Sequence, residues 1–356
     1  MPYLNLKSKQ LTRRKMKPES GANVIDLEQK VFDMGNEPMP RGAWWWWFWL
    51  FFFNNPKNPA TPQQLMILWS TKNVREIECN NLKIRLTHHP MMDRSNLDGA
   101  VAAWYFDGEK MHHNFLLEQC SIKVSDKGLS SDSSTPTCFS INETKNTVKI
   151  GDNFEFIAKA GNNHDFTMPS YHSHTYLGNM GYSMIRLNHL DLSGRLKNKP
   201  IQGSAYFQRV FVNAPAIPWY WGIFHFENGG VLTYFKPHFL GKSIKKEITF
   251  FDGNKTHEFT DIDIKLKVSG ENIPTFTVSG ENEHEKINFI VNSYSHSSWA
   301  FRRRVLGIIP NKLTYNEYPA IISDLKLANK KTGEKISSED LGKSVGNAEH
   351  TTGLLL

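Results

Sequence analysis

The residues best suited to chemistry in this 356-residue chain fall in one stretch, 181–237. Side chains two apart on an extended strand share a face. Tyr206 and Gln208 therefore point one way, and Phe207 and Arg209 the other. Downstream, Trp219, Trp221, Ile223 and His225 share a face opposite Tyr220, Phe224 and Phe226. Indole and phenol rings attract a cation, worth about 2 kcal/mol or more when desolvated. A phenol, an amide or an imidazole can orient a carbonyl group or a water. If Tyr206, Gln208, Trp219, Trp221 and His225 line one pocket, it is aromatic with three polar handles. The alternative is plain core, where buried Tyr and Trp find hydrogen-bond partners.

Arg186 stands amid apolar residues, where it would pair with an acidic ligand or with a buried carboxylate such as Asp191 or Glu227. His172-x-His174 is a same-face pair of imidazoles if extended, the beginning of a metal site. The carboxylate that a cupin-type site would add is missing, because Gly178 and Asn179 occupy its place. No metal is assigned, and the two histidines are read as pocket-edge or loop residues. His88-His89 and His112-His113 would place their rings on opposite faces of a strand and chelate poorly. The chain has no Gly-rich phosphate loop, no Gly-x-Ser-x-Gly elbow and no recognisable Cys–His nucleophile. No cofactor is assigned.

The elements that must hold these residues are strands. Leu82–Thr87 alternates apolar and polar residues with period two. Asp107-Gly108, Asn228-Gly229-Gly230 and Asp252-Gly253 separate apolar runs as hairpin turns do. Residues 44–53, WWWWFWLFFF, are too short to span a bilayer as a helix, which needs about 20 residues. They read as a strand buried on both faces, paired with Leu65–Thr71 across a Pro-rich loop. A short helix is expected near Ala22–Phe32 and nowhere else of note. About eighteen short strands suit two barrels of roughly eight to ten strands better than one.

The stretch 181–237 resembles the AttH-like and carotenoid 1,2-hydratase (hydroxyneurosporene synthase) family. Tyr182-Ser183, Arg186-Leu187 and Leu192-Ser193-Gly194 look like its tyrosine–arginine strand and turn. Gly203-Ser204-Ala205-Tyr206-Phe207-Gln208-Arg209 stands where the family has Gly-x-x-aromatic-x-Asp-His/Arg, and Trp219-Tyr220-Trp221 where it has Trp-x-Trp. The resemblance implies an all-β protein of two lipocalin-like antiparallel barrels packed together, with a site for an apolar ligand near their junction. With the residue readings above, the expected substrate-binding residues are Trp219, Trp221, Tyr182, Arg186, Arg209, His172 and His174, and the expected catalytic residues are Tyr206, Gln208 and His225. The family's acid is the motif aspartate, replaced here by Gln208. An amide cannot release a proton at a useful pKa, so simple hydratase chemistry does not carry over. His225 is the expected replacement acid. Fungal polyketide cyclases of related architecture work largely by shape and need no strong acid. The expected function is binding of an isoprenoid-, carotenoid- or polyketide-like ligand with hydratase, isomerase or cyclase action on it. The alternative is a binding protein without catalysis.

Composition fits a globular protein, with 39 % hydrophobic and 22 % charged residues and 12 % aromatic. The net charge of +7 is concentrated in residues 1–20, where six basic residues face Glu19 alone. That distribution argues against a nucleic-acid-binding face and leaves an arm suited to peripheral contact with an anionic membrane. Three cysteines give no disulfide framework, which, with no secretory signal visible, points to the cytoplasm. The expected division is a basic, partly disordered arm over 1–40, barrels over 41–180 and 181–328, and a flexible polar tail over 329–356. Oligomeric state is not legible.

Overall fold

In the computed structural model of the chain, residues 30–355 are described, except 36–37, 87–92, 143–144, 162–169, 179, 270–272 and 306–307. The basic residues 1–20, nearly all of the expected helix, His88-His89 and the His174 side chain lie outside the described residues.

The strands of the first half are β1 (Trp44–Phe53), β2 (Gln63–Lys72), β3 (Glu76–Cys79), β4 (Leu82–Arg85), β5 (Leu97–Phe106), β6 (Met111–Ser125), β7 (Gly128–Ser131), β8 (Thr137–Asn142), β9 (Lys145–Ile150), β10 (Phe154–Ala160), β11 (Ser170–Leu177), β12 (Met180–Leu196) and β13 (Lys199–Asn213). Then come β14 (Trp219–Phe226), β15 (Val231–Phe239), β16 (Lys242–Ser243), β17 (Glu247–Phe251), β18 (Thr256–Phe259), β19 (Asp261–Ser269), β20 (Ile273–Glu281), β21 (Glu285–Ser293), β22 (Ser297–Val305), β23 (Ile309–Asn329), β24 (Lys335–Ser337) and β25 (Ser344–Leu354). One helical turn, Ser338–Leu341, precedes β25. No helix of the described residues is long and apolar enough to cross a membrane.

The first sheet runs β10-β9-β8-β7-β6-β5-β2-β1-β13-β12 and closes through β10–β12 into an antiparallel ten-strand barrel. β11 pairs with the early part of β12. The second sheet follows β18-β17-β15-β14-β25-β23-β21-β20-β19. Its two end strands, β18 and β19, are consecutive in the chain.

β1 shows why the aromatic run is double-faced. Trp45, Trp47, Trp49, Phe51 and Phe53 enter the barrel core. Phe48, Leu50 and Phe52 enter a separate core between the two sheets, with Trp44 and Trp46 packed against it. Both faces of the strand are dry, so both must be apolar. β1 pairs with β2, as the sequence predicts, and on its other side with β13.

Three expectations about organisation are overturned. β12 and β13, assigned to the second barrel, pair with β10 and β1 and complete the first. The chain therefore crosses between sheets near residues 214–218, not at 181. The polar tail is no tail, because β25 inserts between β14 and β23 in the middle of the second sheet. Within the arm, Val31, Phe32, Met34 and Met39 are buried in the barrel core, and the Val31 carbonyl accepts from Trp47 Nε1 at 2.9 Å. The β3–β4 hairpin, encoded between two strands of the first barrel, pairs with β22 of the second sheet.

Candidate functional site

Between the two sheets lies a cavity of about 170 Å³. The first sheet contributes one face of adjacent strands in register. Trp44, Trp46 and Phe48 on β1 stand opposite Val212, Val210 and Gln208 on β13. These stand opposite Tyr182, Met184 and Arg186 on β12. Period-two projection makes one surface of these nine residues. The second sheet supplies Trp219 and Trp221 from β14, Phe235 from β15, Phe301 from β22, Leu313 and Tyr315 from β23 and Glu349 from β25. The connecting residues Ala214–Ile217 line the remaining side. The walls are largely apolar and aromatic, which favours an apolar ligand by burial.

Polar groups gather at two places. Around β12, Arg186 Nη2 lies 3.0 Å from His172 Nε2. The Arg186 charge, burial and Lys245 hold the His172 pKa down to about 2. His172 is therefore neutral, and Nε2 accepts from the guanidinium. Arg186 Nε has no partner among the described residues, although it is buried. An N–H left so is costly unless a ligand oxygen meets it. Beside it, the Tyr206 hydroxyl donates to Gln208 Oε1 at 3.0 Å, leaving the Gln208 amide N–H₂ for the cavity.

On the second sheet, Glu349 and Glu317 face each other directly across β25 and β23. Both are buried, at 3 % and 1 % exposed. Trp219 Nε1 donates to Glu349 Oε2 at 2.9 Å, and the Tyr315 hydroxyl donates to Oε1. Trp104 Nε1, from the first barrel, donates to Glu317 Oε2 at 2.7 Å. Glu317 Oε1 has no partner among the described residues. Burial pushes the Glu349 pKa up to about 7. Burial and the neighbouring Glu349 push Glu317 well above the carboxylate range. Like charges this close cannot both ionise cheaply, so the pair retains a proton through neutral pH.

Of the residues singled out in the sequence, Tyr182, Arg186, Gln208, Trp219 and Trp221 line the cavity. Tyr206 sits behind Gln208, wholly buried, with its pKa raised by burial. His225 shares the face of Trp221 but lies beyond the cavity. Its Nδ1 meets Ser204 Oγ at 2.7 Å, and its Nε2 meets the Asn188 carbonyl at 2.8 Å. Burial and His189 lower its pKa far below the ordinary value, so it is neutral with both nitrogens engaged. Arg209 projects to the opposite face, over the Trp45 ring at 4.7 Å, and donates to the Lys30 carbonyl at 2.6 Å. Arg186 meets His172 and lies beside Tyr206, not Asp191 or Glu227. Backbone pairing places His174 opposite Tyr182. Glu349, Tyr315 and Lys72 also line the cavity and were missed. Glu349 lies in a polar strand that carries no apolar alternation to mark it.

No protein-family model matches the chain, and no curated protein matches it. Among solved structures, a candidate AttH from Nitrosomonas europaea superposes with a TM-score of 0.53 at 11 % identity, covering 88 % of this chain and 92 % of its own. CghA, solved alone and with Sch210972, gives a TM-score of 0.48 at 8 % identity, covering 88 % of this chain and 89 % of its own. The architecture defines an all-β, lipocalin-like barrel protein. Within that class the chain is built like the Nitrosomonas protein, a likeness of fold alone. The resemblance read from residues 181–237 points to the same fold.

Proposed function

We propose that the cavity between the sheets binds an apolar polyene or fused-ring ligand of isoprenoid or polyketide type and transfers a proton to or from it. The reaction class is addition of water, double-bond migration or cyclisation. The observation that carries this reading is the buried carboxyl in an aromatic cavity, Glu349, held by Trp219 and Tyr315 with a pKa raised to about 7. The other carboxyl of the lining, Glu247, is ion-paired with Lys245 at 2.8 Å. A general acid or base works best when its pKa lies near the operating pH. Glu349 thus takes the role that Gln208 cannot fill and that His225 is too enclosed to fill. Trp44, Trp46, Trp219 and Trp221 offer ring faces to a developing carbocation. Arg186 Nε and the Gln208 amide are placed to hold a ligand oxygen.

The test is incubation of the protein with acyclic carotenoids and linear polyenes, followed by mass spectrometry. A gain of one water, or an isomeric product, is expected from the wild type. E349Q should lower turnover by about 10²- to 10⁴-fold with ligand binding kept. Recovery of only unchanged, bound ligand from the wild type would establish storage instead.

A further inference from the structure

Lys72 ends β2 directly opposite Trp44 on β1, so its side chain projects toward the region between the sheets. It is 6 % exposed. It lines both the main cavity and a smaller adjoining one of about 40 Å³. Trp44, Leu68 and Phe301 are shared with it by the two cavities. Its Nζ donates to the Gly42 carbonyl at 2.8 Å and lies 4.6 Å from the Trp44 ring centre. Among the described residues no carboxylate pairs with it, and the charge that acts on it is the like charge of Arg303. A buried cation without a counter-ion is costly, so the amine sheds its proton. Burial and Arg303 bring its pKa down to about 7. Near neutral pH roughly half of the amine is then free, against about one part in a few thousand for an exposed lysine.

We infer that Lys72 captures apolar aldehydes in the cavity as an imine. The Nζ lone pair forms a bond to the aldehyde carbon, and the carbonyl oxygen takes up a proton to give a carbinolamine. Loss of that oxygen as water leaves the C=N bond, with no oxidant or reductant needed. A desolvated lysine in an apolar pocket is the form of the residue suited to this step. The ligand class is an aldehyde with a flat, apolar body, which the neighbouring Trp44, Leu68 and Phe301 would hold. The inference rests on the cavity being a ligand site and is independent of the role of Glu349.

The experiment treats the full chain with trans-cinnamaldehyde and sodium cyanoborohydride at neutral pH, then maps the reduced adduct by peptide mass spectrometry. Lys72 should carry at least about tenfold more label than any other lysine, and K72M and K72R should both lose that label. Cinnamyl alcohol, the same skeleton without the carbonyl, is titrated in parallel by tryptophan fluorescence. If the alcohol binds while label scatters over exposed lysines and spares Lys72, the imine is overturned and the cavity stands. If the alcohol does not bind and Lys72 stays unlabelled, both readings fail together.

Discussion

Two buried carboxyls on neighbouring strands set the pH behaviour of the site. The Glu349 pKa is raised to about 7, above its ordinary value of 4.5, so the folded state keeps a proton that the unfolded chain gives up. A proton bound more tightly by the folded state makes stability fall as pH rises through that interval. E349Q has no such proton to lose. Urea denaturation at a series of pH values should therefore show E349Q gaining on the wild type as pH goes from about 4.5 to 7. A difference that stays flat would refute the raised value. Arg186 allows a separate measurement. R186M should weaken retinoic acid about 10- to 100-fold and retinol much less, as read by fluorescence titration, because only the acid offers a charged oxygen to the guanidinium. Equal losses for both would place Arg186 outside ligand recognition. Much of this site was legible in the sequence. Tyr182, Arg186, Gln208, Trp219 and Trp221 all reach the cavity, because strand periodicity fixes which side chains share a face. The placement of His225 is something that alternation cannot reveal: it lies on the expected face but past the end of the cavity, where Ser204 and Asn188 enclose it.

Among the elements, β1 and β25 are opposites. β1 announces itself because both of its faces are buried in apolar cores and every residue of Trp44–Phe53 is apolar. β25 is as central to its own sheet, yet its buried side chains are Ser344, Asn347, Glu349 and Thr351, with Ala348 the one apolar member. Ser344, Glu349 and Thr351 are compensated by hydrogen bonds, such as Thr351 Oγ1 accepting from Trp219 N at 2.7 Å, and those partners come from distant parts of the chain. A polar composition therefore reads as a tail when partners are unseen. The domain boundary is obscured for a similar reason, since the β12–β13 hairpin closes the first barrel by pairing with β10 and β1. Deletion of residues 344–356 puts this to the test. It should strip β14 and β23 of the strand that joins them and leave an aggregated chain with reduced strand signal by circular dichroism. A soluble product with an unchanged spectrum would mean that β25 is dispensable after all.

The two sheets are tied together by more than their shared apolar core. Gln64 Nε2 on β2 reaches the Tyr294 hydroxyl at 2.6 Å and the Gly346 carbonyl at 2.8 Å. Trp104 on β5 reaches across to Glu317. W104F should leave a buried carboxyl oxygen without its donor and cost about 1–3 kcal/mol, measured as a lower urea midpoint with one transition by both fluorescence and circular dichroism. Two separate transitions would mean that the sheets unfold independently. The β3–β4 hairpin has a consequence for the birth of the molecule. Glu78 and Arg302, joined at 2.8 Å, lie 224 residues apart in the chain. At about 5–20 residues per second of synthesis, the hairpin waits roughly 10–45 s on the ribosome for its partner strand. Throughout that wait Ile77, Cys79 and Ile84, which end up in the core between the sheets, have no second sheet to cover them. The nascent chain is thus most exposed to mispairing just when its first barrel looks finished, and holdase binding at residues 76–86 is where a cell would guard it.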